Sequence, residues 1–120
     1  MAAAVLAHLI ITMAHGAAHT GAQIVMSPVA NLFVFIVILA GPLVGLALLW
    51  RSARLGSLIV ALTMAGALVF GVVNHFVLES PDHVQHVSAQ WRMLFATTAV
   101  LLAITEMLSL GFAIRLLRRR

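Results

Sequence analysis

LGSLIVALTMAGALVFGVVNHFVL, residues 55–78, holds no Asp, Glu, Lys or Arg in 24 positions. As a helix it extends about 36 Å at about 1.5 Å per residue, enough to cross a hydrocarbon core about 30 Å thick. The stretch turns polar only at Asn74 and His75. It then gives way to ESPDHVQH, residues 79–86, which holds two more histidines and two of the chain's three acids. So apolar a chain gathers its ionisable groups at one end of one helix.

Working outward, three further stretches have spanning length. Residues 29–50 carry no charge at their core, and residues 91–115 are apolar apart from Arg92, Glu106 and a closing Arg115. Residues 2–26 are weaker, interrupted by His8, Thr12, His15, His19, Thr20 and Gln23. The small residues of that first stretch also suit a cleaved signal peptide. It lacks the basic start of one, however, and histidines break its apolar run. Over 120 residues the chain is 63% hydrophobic and 8% charged, with a mean hydropathy of +1.15. Soluble domains carry about 25% charged residues, so ten charged side chains do not make a water-facing surface. The expectation is an all-α fold: a single integral membrane domain, residues 1–120, built as an antiparallel four-transmembrane-helix bundle with short connections.

Local punctuation agrees with these limits. Ser27-Pro28 suits a helix start, with Ser as cap and Pro in the first turn. Arg51-Ser52-Ala53-Arg54 makes a short turn, and Ser80-Pro81-Asp82 ends the third span. Arg51, Arg54, Arg115, Arg118, Arg119 and Arg120 fall on one side of such a bundle and Arg92 on the other. Arginine excess marks the cytoplasmic side. The expected localisation is the cell membrane, multi-pass, with both termini cytoplasmic and the 79–90 loop outside. The net charge of +4 is no nucleic-acid footprint, because the arginines sit in short clusters rather than over a face. With no cysteine, disulfide and thiolate chemistry is excluded.

The chemistry-bearing residues converge on the outer end. His8, His15 and His19 are spaced seven and four apart, so they share one face of a helix. Polar groups in a membrane face inward or pair, which points this stripe into the bundle. His75 and Glu79 share a face of the third span, and Asn74 is placed to orient His75. Two readings follow for ligands. A metal ion (Zn, Fe, Cu or Mn) would take His15, His19, His75 and Glu79, with Asp82, His83 and His86 as auxiliary loop groups. A haem would take His19 and His75 as axial ligands from two helices at one depth. The plainer alternative is hydrogen-bonded histidines near an interface. Deeper, Glu106 is a costly carboxylate best relieved by a buried polar pair with His8. Gly41-Pro42-Leu43-Val44-Gly45 allows close helix packing and a kink.

Three functions remain open from the residues. The leading one is a small membrane protein binding a metal ion or haem at its extracytoplasmic end, suited to redox chemistry or metal handling. The second is a non-catalytic accessory subunit of a larger membrane complex, its partners being the lipid bilayer and other membrane subunits or a second copy in a homodimer. The third is a small proton-coupled transporter using His8 and Glu106.

Overall fold

Helices form where the apolar runs lie. In the computed structural model, which describes residues 1–119, α1 spans Ala2–Gly21, α2 Pro28–Leu48, α3 Ala53–Val77 and α4 Ala89–Arg118. All four are long and apolar enough to cross a membrane, and no strand occurs among the described residues. Arg120, assigned above to the C-terminal arginine group, lies outside the described residues.

The starts of α2 and α3 follow from serine caps. Ser27 Oγ accepts from the Ala30 amide at 3.1 Å, with Pro28 in the first turn. Ser52 Oγ accepts from the Leu55 amide at 3.2 Å. The end of α1 differs from the sequence expectation, which carried it to residue 26. The chain leaves the helix after Gly21 because Gln23 adopts a left-handed conformation, with φ of 57°. The Gln23 amide then donates to the Thr20 carbonyl at 3.1 Å and the Ile24 amide to the His19 carbonyl at 3.0 Å. These two bonds are a Schellman closure, and Ile24 packs near Ala18 as that motif requires.

Packing runs α1 to α4, α4 to α3 and α3 to α2. Pairs across each interface count in opposite directions along the chain: His15 meets Thr98 where His8 meets Glu106, Gly66 meets Phe33 where Gly56 meets Gly45, and His75 meets Phe95 where Val60 clusters with Ala113. Neighbouring helices are therefore antiparallel. The bundle is 49 Å long and 24 by 22 Å across. The glycines of α2 sit in the α3 interface. A methyl group on Gly56 would fall 2.6 Å from the Gly45 carbonyl oxygen and 2.7 Å from the Leu49 amide nitrogen. Here two backbones touch with no side chain between them. α1 and α2, by contrast, are not packed along their length.

Two wide, π-helical turns interrupt the regular helices, one at Val34–Ala40 in α2 and one at Val73–Val77 in α3. The first precedes Pro42. Proline has no amide hydrogen to return to the carbonyl four residues earlier, which leaves the Ile38 carbonyl available. His8 of α1 takes it: His8 Nε2 donates to Ile38 O at 3.2 Å. The segment ahead of Pro42 is thus also the point where α2 is tied to α1.

Candidate metal centre

His15 and His19 stand one turn apart on the inner face of α1. His75 stands in the wide turn of α3, where the helix unwinds into the 78–88 link. That link folds back over the helix end: the Val84 amide donates to the His75 carbonyl at 2.9 Å. The fold-back brings Asp82 against the histidines. Asp82 Oδ1 lies 3.1 Å from His19 Nε2, and Oδ2 lies 3.4 Å from His75 Nδ1. The three imidazoles each offer a nitrogen within 4.8 Å of the other two. Phe95 of α4, fully buried, is the common floor, its ring centroid 4.6, 5.0 and 5.1 Å from those of His15, His19 and His75.

Hydrogen-bond partners point to where the ring protons belong. Thr98 Oγ1 donates its one hydrogen to the Leu94 carbonyl at 2.7 Å, so it accepts from His15 Nδ1, also at 2.7 Å. His75 Nδ1 faces two acceptors, the Asp82 carbonyl at 3.1 Å and the Asp82 carboxylate. Both rings, when neutral, carry their hydrogen on Nδ1. Their Nε2 atoms, 3.2 Å apart, then present lone pairs to one another. His19 turns Nε2 to Asp82 and leaves Nδ1 buried with no hydrogen-bond partner among the described residues. Unpaired acceptors in a buried site are costly, and a cation between the two Nε2 atoms would relieve that pair.

The His15–His75 pair has the spacing of two ligands on one ion. Two nitrogens 3.2 Å apart, each about 2.0–2.1 Å from one metal, subtend an angle of about 100°, near the tetrahedral value. Asp82 and Thr98 stand where outer groups that fix ring orientation stand in metal–histidine sites. The haem alternative calls for His19 and His75, whose ring centroids stand 5.9 Å apart; His15 lies 4.9 and 4.8 Å from the two, so three imidazoles gather here rather than one opposed pair.

No protein-family model matches the chain, and no curated protein or solved structure matches it.

The other sequence candidates fall elsewhere. Glu79, expected as a ligand, is exposed and lies 3.3 Å from His86 Nε2, away from the triad. One turn of α3 does not carry it inward because the helix ends at Val77 and Leu78 is already extended. Asp82 supplies the carboxylate instead. His86 Nδ1 donates to the Ser80 carbonyl at 2.8 Å, and His83 Nδ1 accepts from the Gln85 amide at 3.2 Å, so both histidines brace the loop. Asn74 donates to the Phe70 carbonyl at 2.8 Å and does not orient His75. Thr98 and Phe95 were missed by sequence reasoning. A usable signal existed: both lie on the buried stripe of α4 that also carries Leu102, Thr105, Glu106 and Ser109.

Asp82→Asn is expected to weaken metal affinity about 10–100-fold, the usual effect of losing an outer-shell partner. The asparagine amide cannot accept from both histidines at once. Competition with a chromophoric chelator measures it, and an unchanged affinity would show that Asp82 does not organise the rings.

Below the triad lies a second polar pair. His8 is fully buried, and its Nδ1 stands 3.6 Å from Glu106 Oε1. The expected neighbours therefore meet, slightly beyond hydrogen-bond reach. Thr12 donates to the His8 carbonyl at 2.8 Å. A cavity of about 440 Å³ runs between the four helices, with His15, His19 and His75 in its wall and Glu106 at its inner end. His8→Ala should destabilise the bundle by about 1–3 kcal/mol, because the Ile38 carbonyl is left unpaired in apolar surroundings. Thermal unfolding in detergent reads this directly; a Tm equal to wild type would remove the α1–α2 tie from the account.

Proposed function

We propose that this protein is a four-span membrane protein that holds one divalent transition-metal ion on His15, His19 and His75, with a further coordination position open to the cavity. The observation that carries the reading is the pair of Nε2 atoms 3.2 Å apart, each on a ring whose Nδ1 is turned to Thr98 or Asp82. Nitrogen donors suit Zn, Cu and Fe; Mn, which prefers oxygen ligands, suits the site less. Three protein ligands with one position left over is the pattern of reactive rather than purely structural sites. An ion so bound acts as a Lewis acid on whatever occupies the remaining position. The residues do the rest: Asp82 and Thr98 hold the rings, Phe95 keeps water from beneath, and the 78–88 link covers the site. The arginine distribution supports an extracytoplasmic placement for it.

Metal analysis of the protein purified without chelator tests this. One zinc, copper or iron ion per chain is expected. Less than about 0.1 per chain after reloading with each ion in turn would overturn the reading.

A further inference from the structure

The side from which the triad is reached narrows what it acts on. Toward the end of the bundle the histidines are sealed: Ala18, Val87 and Phe95 form a buried cluster, with Ile24, Val84 and Trp91 packed against it. Toward the interior the cavity closes at Glu106, which is buried. The open direction lies between α1 and α2, the two helices that are not packed along their length. Gly16, Thr20, Val25 and Asn31 line the cavity and are also exposed, so they form its mouth. Gly16 is central to it, one position after His15, and a Cβ placed there would meet nothing within 4 Å. Both helices beside this seam expose apolar side chains, Ile10 and Met13 on one and Leu32 and Phe35 on the other. In a bilayer such surfaces face acyl chains, so the mouth opens into lipid and not into water. The cavity beyond it lies within the roughly 300–1,000 Å³ usual for ligand pockets, and Ile38, Phe70 and Leu102 make its walls apolar.

We propose that the cavity takes a small apolar molecule with one metal-ligating oxygen head, which enters sideways from the bilayer between α1 and α2 across Gly16. The proposal rests on the metal reading above and adds the class of occupant and its route. The head reaches the ion at the triad, and the apolar body fills the space toward Ile38 and Phe70.

The test uses the full chain in lipid nanodiscs, loaded with Co(II), whose visible spectrum reports a new ligand. Decanohydroxamic acid is the bilayer-soluble probe and acetohydroxamic acid the water-soluble one. Wild type should show a saturable spectral change with the first and little with the second at equal concentration. Gly16→Leu and, from the facing wall, Ala103→Leu should each weaken the response to decanohydroxamic acid at least tenfold while still binding one cobalt per chain, which reports an intact site. Equal responses to both probes, or full responses in both plugged variants, would overturn the proposal. Cobalt bound with no response to either probe sinks the occupant and leaves the metal reading standing. A wild-type chain that takes up no cobalt sinks the metal reading and this proposal with it.

Discussion

His15→Ala and His75→Ala are each expected to strip the ion, lowering metal affinity by more than the roughly hundredfold that loss of an outer partner costs. Each removes one of the two facing lone pairs, and the survivor is then a single imidazole with His19 beside it. The two variants should look alike although one residue is on α1 and the other on α3. His83→Ala is the control: that ring bonds its own loop, and occupancy should stay at the wild-type value. Metal content by mass spectrometry, on protein shown to be folded by its helical circular dichroism, separates the cases. Equal occupancy in wild type and the His15→Ala, His75→Ala double variant would end the ligand assignment.

The second large effect belongs to the fold. Gly56→Val should destabilise the bundle by about 3 kcal/mol or more, at the upper end of overpacking costs. Of the three atoms nearest the added carbon only Leu49 Cδ2, at 2.9 Å, belongs to a flexible side chain. The other two, in the Gly45 carbonyl and the Leu49 amide, are backbone atoms. Relief requires moving α2 off α3 as a body. Gly16→Ala, at a glycine with open space around it, should instead be neutral or gain about 0.5–1 kcal/mol from helix propensity. Unfolding of the two variants in the same detergent decides the matter; similar midpoints would show that α2 and α3 are not in backbone contact.

Much of the arrangement was legible in the chain because lipid-scale apolar runs, serine caps and histidine spacing are local signals. The 15/19 pair on one helix and His75 at the end of another pointed to one end of the bundle. What spacing could not reveal was direction. Glu79 follows His75 at the correct interval for a shared face, yet the wide turn and the early end of α3 send it outward. Asp82 arrives only because the link folds back to satisfy the His75 carbonyl, a long-range bond with no sequence signature. Likewise the end of α1 turns on a glutamine in a left-handed conformation, which composition does not announce. Thr98 reads as one more neutral residue in an apolar span until His15 is set against it.

The turn at Val73–Val77 accommodates one residue more than regular coiling allows over the same rise. Such a surplus can be surrendered. Were the stretch to tighten to ordinary pitch, every side chain beyond it would swing by about 100°, and the 78–88 link would leave the helix on another side. The wide turn thus sets the direction in which the 78–88 link departs from α3, and with it the return of Asp82 to His19 and His75.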